Sequence, residues 1–183
     1  MGIDLAGSEK RNTGWAVIHR NKVYSGILHG DEEIISFVEE YKVKKAIIDA
    51  PLTLPAGRKS IDRKDGNHFR ECDLKLRTEG IRFFPITLGP MRKLTKRGMK
   101  LKEKLERRGV KVYEGFPGAS YDRLGIPRKD SKKIRSFLKK YGFPAHVKAT
   151  QDELDALILL LTLQIKKKNF KGKDGEIIAP VKK

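Results

Sequence analysis

Apolar positions along the chain follow two rhythms. Ile3–Ala6, Trp15–His19 and Val23–Leu28 are short β-rich runs. Arg20-Asn21-Lys22 joins the last two, and Asn tolerates the left-handed backbone that a tight hairpin turn demands. With the polar stretch Gly7–Asn12 as the first connection, the three runs predict an antiparallel meander. Ile34, Ile35, Phe37, Val38 and Tyr41 then recur at helical spacing behind Gly30-Asp31. Ala46-Ile47-Ile48-Asp49 is almost continuously apolar, the pattern of a strand covered on both faces, and Pro51 stops it. A right-handed crossover through the 31–41 helix predicts this fourth strand parallel to a neighbour, most simply the first.

Downstream the rhythm loosens. Residues 50–90 form a long connection with a short helix predicted near Phe69–Leu76; connections of this length are usually functional or mobile. A helix is predicted over 91–108, ended by Gly109, then a fifth strand over Val110–Tyr113 and a helix over 131–141. Thr150-Gln151-Asp152-Glu153 has the Thr-x-x-Glu form of a capping box. The helix it opens, over 151–167, is apolar almost all round from Leu154 to Ile165 and is expected to be buried. From Lys166 the chain reads as a basic tail, 166–183, with an Ile177-Ile178 run able to pack or pair. The order predicts one α/β domain over 1–183: a mixed five-stranded sheet flanked by helices, with 50–90 as an insertion or lid.

Charge adds a partner to this picture. The formal net charge is +18 and the pI is near 10.0. Residues 1–57 hold 7 basic against 8 acidic side chains, a net of −1, whereas 58–183 hold 34 against 15, a net of +19. An even solubilising coat, such as a heat-adapted protein carries, does not divide in that way. A footprint for a polyanion does, and nucleic acid, DNA or RNA, is the partner expected first. Lys93, Lys96, Arg97 and Lys100 in the 91–108 helix are candidate phosphate contacts. Arg58 and Lys59, with Arg63 and Lys64 among Gly57, Ser60 and Gly66, are candidates in the 50–90 connection. The single cysteine, Cys72, excludes a disulfide framework and a Cys-rich zinc site, and fits a reducing cytoplasm. Met1-Gly2-Ile3-Asp4 runs straight into strand-like sequence, which predicts no signal peptide. The longest apolar run, Leu154–Ile165, carries Asp155 and is too short for a bilayer, so no membrane partner is expected.

The acids carry the candidate chemistry. Asp4 sits among Ile3, Leu5 and Ala6, and Asp49 ends the run Ala46-Ile47-Ile48; a carboxylate in a central strand is costly to bury unless paired or cation-bound. With strands one and four adjacent and parallel, both acids fall near carboxyl ends at the sheet centre, where open α/β sheets bind ligands. Asp152 and Asp155 share one helical face, and Asp155 lies on a stripe with Ile158, Leu159 and Thr162. Converging carboxylates of this kind suit Mg²⁺ or Mn²⁺, and two such ions can activate water for phosphodiester hydrolysis. Blander readings stand beside these. Asp152 and Glu153 suit a helix N-terminus equally well, Asp49 before Ala-Pro can form a turn, and Asp4 can cap the loop after strand one. Glu114, at the end of strand five, is a further candidate ligand or an edge-strand surface acid.

Five segments, in order, also resemble one family. They are Gly2-Ile3-Asp4-Leu5-Ala6 with Thr13-Gly14-Trp15-Ala16-Val17; Ile48-Asp49-Ala50-Pro51-Leu52-Thr53-Leu54-Pro55; Arg70-Glu71-Cys72-Asp73; Val112-Tyr113-Glu114 with Pro117-Gly118-Ala119-Ser120; and Asp152-Glu153-Leu154-Asp155-Ala156. The closing Glu176-Ile177-Ile178-Ala179-Pro180 belongs with them. The chain is similar to the family called domain of unknown function 429, whose members are regarded as predicted nucleases of RNase H-like fold. The resemblance implies that Asp4, Asp49 and Asp155 stand where RNase H-like enzymes, Holliday-junction resolvases included, hold metal-binding acids. Asp152 and Glu114 match further family positions. Gly115-Phe116 departs from the commoner Tyr-Glu-Val-Tyr-Pro pattern, altering the approach to Glu114 but not the acid.

The reading that follows is a Mg²⁺- or Mn²⁺-dependent nuclease with Asp4, Asp49, Asp155, Asp152 and Glu114 as catalytic acids. No Ser/His triad is needed, and His19, His29, His68 and His146 show no metal-ligand spacing. The competing reading is a nucleic-acid-binding module of the same fold without cleavage. A nucleotide-binding protein of the sugar-kinase and actin type shares the first-strand Asp and glycine loop, but such proteins normally need two related domains and this chain has room for one.

Overall fold

The computed structural model describes residues 1–63 and 66–182. β1 (Gly2–Asp4) pairs antiparallel with β2 (Thr13–His19), and β2 with β3 (Lys22–Leu28). The β2–β3 register ends at His19↔Lys22, and the two residues between them, Arg20 and Asn21, take φ of 46° and 61°. Two left-handed residues in succession make the primed turn whose twist matches that of the flanking strands. The helix α1 (Asp31–Glu40) then crosses over to β4 (Lys45–Asp49), which lies parallel to β1 with Gly2↔Ile47 and Ile3↔Ile48. The meander, the crossover and the parallel pair are as the apolar pattern predicts.

After β4 come α2 (Glu71–Arg77), α3 (Gly89–Glu106) and β5 (Lys111–Gly115), the last parallel to β4. Then follow α4 (Pro117–Leu124), α5 (Ser131–Lys140), α6 (Gln151–Gln164), β6 (Lys167–Gly172) and β7 (Gly175–Pro180). Among the described residues the sheet has seven strands, in the order β3-β2-β1-β4-β5-β7-β6, not five. The two extra strands come from 166–183, which is a hairpin in the sheet rather than a basic tail. Phe170, Ile177, Ile178 and Ala179 are buried while the lysines of β6 point outward. Lysines on an edge strand deter pairing with other chains, and here they disguise the strand as a tail. The same hairpin shortens the predicted 151–167 helix, which ends at Gln164. α4 is an additional element; Pro117 at its start and a left-handed Gly125 (φ 68°) after its end are its boundary signals.

Two apolar layers cover the sheet. Ile3, Ile48, Ile34, Leu101 and Leu105 pack on the face that carries α1 and α3. Ala16, Tyr121, Ile134, Leu154 and Leu157 pack on the face that carries α4, α5 and α6. α6 is buried along its length, and Thr150 and Glu153 form the expected capping box. It lies unusually close to the strands. A Cβ at Gly2 would stand 2.1 Å from the Ala156 carbonyl oxygen, and one at Gly14 would stand 1.9 Å from that of Asp152. Backbone therefore rests on backbone, and the first turn of α6 is pinned over the carboxyl end of β1. No helix among the described residues is long and apolar enough to cross a membrane.

The 50–90 connection leaves the sheet at Asp49, as expected, but part of it is fastened. Arg58 is buried and donates to the carbonyl oxygens of Ser60, Arg63, Gly66 and Asn67, while Ala56 N–H donates to Asp174. Arg58 thus organises its own loop and does not face phosphate; Lys59 is exposed. Lys64 lies outside the described residues.

Because the Gly14 contact is with a carbonyl oxygen rather than a flexible side chain, Gly14→Ala must lift α6. We expect a loss of at least about 1–3 kcal/mol, read as a melting-temperature drop of roughly 2–4 °C for each kcal/mol. An unchanged melting temperature would show that α6 does not depend on this contact.

Candidate functional site

β1 and β4 end side by side. Their register pairs Ile3 with Ile48, so the next residues, Asp4 and Asp49, occupy adjacent carboxyl ends at the centre of the sheet. α6 crosses above them and contributes Asp155, with Asp152 one turn earlier. Each of the four acids keeps part of its surface in contact with solvent. Asp4 and Asp49 lie close enough for each to act directly on the other. Asp155 Oδ1 accepts from the Tyr121 hydroxyl at 2.6 Å and from Gln151 Nε2 at 2.7 Å.

The electrostatics follow from crowding acids in poor contact with water. Burial, and then the charges of Asp49, Asp155 and Asp152, hold Asp4 well above the ordinary carboxylate range. Burial pushes Asp49 up to about 7, reinforced by Asp155 and Glu114 and opposed by the hydrogen bond from Asp4. Asp155 rises to about 6, again through burial, against the stabilising bonds from Tyr121 and Gln151 and the nearby Arg128 charge. Asp4 and Asp49 thus have no basic side chain bonded to them among the described residues.

Asp4, Asp49 and Asp155 are the residues that could hold a cation. Oxygen-only, anionic donors suit a hard divalent ion such as Mg²⁺ or Mn²⁺. Among the described residues, however, no group of three or more His, Cys, Asp or Glu side chains is arranged to hold a metal as it stands. The acids are gathered but not set as a ligand cage. A cleft of about 530 Å³ opens beside them, lined by Asp4, Asp152, Arg11, Asn12, Met91 and Leu94 among others.

Two sequence candidates go elsewhere. Glu114 is buried on the neighbouring strand β5, and both of its oxygens accept from the Arg70 guanidinium. Arg70, itself fully buried, also binds Asp73, and Leu52 N–H donates to Glu114 Oε2. Glu114 is therefore saturated by a structural ion pair. Arg97 is buried too: it pairs with Asp31 at 2.8 Å and donates to the Ala6 and His29 carbonyls, tying α3 to α1 and to the loop after β1. It is not available to phosphate. Lys93, Lys96 and Lys100 are exposed on α3, with Lys96 paired to Asp62. Lys93 stands at the cleft, its Cβ 3.7 Å from where a Cβ on Gly7 would be.

The structure adds residues that the sequence did not single out. Tyr121 and Gln151 orient Asp155, and Arg128 lies near enough to bias its charge. The Pro117…Gly125 frame was a usable signal for the helix bearing Tyr121. Arg128, in a loop, has no local signal.

The pKa directions give a sign. A carboxyl raised in the native state holds its proton while the unfolded chain loses it, so stability falls as pH rises from about 4 towards 7 and levels off above. Asp49→Asn removes one such ionisation. In EDTA at pH 8 the variant should be more stable than the native chain by on the order of 2 kcal/mol, with the gain gone near pH 4. Urea melts at both pH values check it, and equal destabilisation at both would contradict a raised Asp49.

No curated protein and no solved structure matches the chain. A family model does: it covers residues 2–167, from the first residue of β1 to the first of β6, and so includes every acid of the site. The chain belongs to the family described as Protein of unknown function (DUF429).

Proposed function

We propose that the protein is a Mg²⁺- or Mn²⁺-dependent nuclease of RNase H-like fold that hydrolyses phosphodiester bonds in DNA or RNA. One observation carries the reading: Asp4, Asp49 and Asp155 converge at the carboxyl end of the central strands, Asp4 and Asp49 with no basic side chain bonded to them among the described residues. The fold assignment is supported by the first five strands, three antiparallel followed by parallel β4 and β5, the arrangement that the family resemblance implies. Asp4, Asp49 and Asp155, with Asp152, would hold the ions. Divalent ions there supply an activated water and charge for the leaving oxygen. Tyr121 and Gln151 hold Asp155 in place by donating to one oxygen, leaving the other for a ligand. Lys93 and Lys100, exposed on α3 near and beyond the cleft, offer charge to the phosphates on either side.

The test is a panel of labelled DNA and RNA substrates with Mg²⁺, Mn²⁺ or EDTA. Cleavage should need the metal and fall at least about 100-fold in Asp4→Asn, Asp49→Asn or Asp155→Asn, the scale expected when a group acting on the reacting centre is removed. The exposed lysines of α3 also suit one alternative, a module that binds nucleic acid without cutting it. Tight binding with no cleavage under any metal would select it.

The footprint has its own test. Binding should weaken steeply with salt. Replacing Lys93, Lys96 and Lys100 by Ala should lower affinity and flatten the salt slope by about 1 for each phosphate that is no longer neutralised. An unchanged slope would remove α3 from the footprint. Arg97 is left intact because its removal would strand Asp31 in the interior.

A further inference from the structure

A second cavity, of about 280 Å³, adjoins the acidic site on the side of Asp49. Arg82, Phe83, Phe84, Phe116 and Arg128 line it together with Asp49. Met91 and Leu94 line both this cavity and the larger cleft, so the two are halves of one groove with the acids at the join. Its volume lies at the small end of ligand sites. That is room for one planar group, not for a duplex.

The lining has a particular chemistry. Phe83 is braced from behind: its ring meets Phe69 edge-on at 6.0 Å, and the Arg77 guanidinium lies 4.1 Å from the Phe69 centroid and 5.7 Å from that of Phe83. Phe84 next to it is 67% exposed. Across the cavity Arg128 sits 5.5 Å over the Phe116 ring and is oriented by Asp122. Gly118 makes this stack possible, because a Cβ there would come within 2.6 Å of Phe116 and 2.7 Å of Arg128. Aromatic faces bind nucleobases without regard to sequence, and arginines supply charge to the attached phosphate and stack in their own right.

We propose that this cavity is a nucleobase subsite that takes the unstacked nucleotide next to the phosphate at the acids. The base packs on Phe84 and Phe83 opposite Phe116, while Arg82 and Arg128 face the adjoining phosphates. The proposal rests on the nuclease reading for the position of the reacting phosphate, and it narrows that reading. A base inside a continuous duplex enters only at the cost of unpairing and unstacking, so the site prefers a single strand, an end, a loop or a junction.

The test uses the full chain, in EDTA so that cleavage plays no part. Labelled single-stranded oligonucleotides, DNA and RNA, and a blunt duplex of the same sequence are titrated into the native protein, Phe84→Ala and Phe84→Trp. Because Phe84 is exposed, neither variant burdens folding. Phe84→Ala should bind the single strand about tenfold more weakly and the duplex as before. Phe84→Trp should restore single-strand affinity, with its emission quenched as the base stacks; the DNA and RNA arms report which sugar is preferred. Equal losses on both substrates, no loss at all, or no quenching would overturn the subsite. Quenching by an apolar peptide but not by the oligonucleotides would give the cavity to a protein partner and overturn it as well. The two readings fail separately. Metal-dependent cleavage with an inert Phe84→Ala keeps the nuclease and removes the subsite, whereas single-strand-selective binding without cleavage keeps the subsite and removes the nuclease.

Discussion

The distance between α6 and the sheet governs the rest of the molecule. Gly2 and Gly14 let helix backbone lie on strand backbone, with no side chain between. Ala16 and Ala156, both fully buried, continue the same seam. Without it, the carboxylates of α6 would ride a side chain's thickness above Asp4 and Asp49, too far to interact strongly. The interior is close-packed and does not absorb such a shift gradually. A purely steric permission, the absence of two Cβ atoms, is therefore what turns acids on separate elements into one electrostatic unit.

That unit behaves oppositely to the other buried acid in the sheet. Glu114 and Asp73 surround Arg70, and every charge in the group has a partner of opposite sign and a directed hydrogen bond. A buried pair of this kind is stable only as a complete set, and it holds the segment after β4 against β5. Among the described residues Asp4 and Asp49 have no such counter-ion, and burial raises both. That contrast, a few residues apart along neighbouring strands, is why Asp4, Asp49 and Asp155 rather than Glu114 support the proposed chemistry.

The basic residues divide along similar lines. Arg58, Arg70, Arg97 and Arg123 are all buried, their forks filled by carbonyl and carboxylate oxygens of the same chain. Planar, weakly hydrated guanidinium tolerates this, and ammonium does not. Lysines such as Lys59, Lys93 and Lys100 stay outside. The exposed positive charge is carried mainly by lysine, and the arginines that remain at the proposed groove, Arg11, Arg82 and Arg128, are those near the acids.

Wherever a local rule decides the outcome, the sequence by itself determined this protein. The β2–β3 hairpin follows from Asn21 between two β-rich runs, and the capping box at Thr150 from its own spacing. The parallel placement of β4 beside β1 follows from chain handedness, and with it the adjacency of Asp4 and Asp49. Asp155 was legible because an acid on an apolar helical stripe needs a reason. Only the tertiary structure decided what depends on partners distant along the chain. It moved Glu114 into the grip of Arg70, 44 residues away, and Arg97 into that of Asp31, 66 residues away. It built a hairpin from the lysine-rich end, because β7 finds its ladder on β5 and a one-sided edge strand keeps its lysines in water. Composition counts a charge wherever it falls; only packing determines whether that charge faces the interior or the solvent.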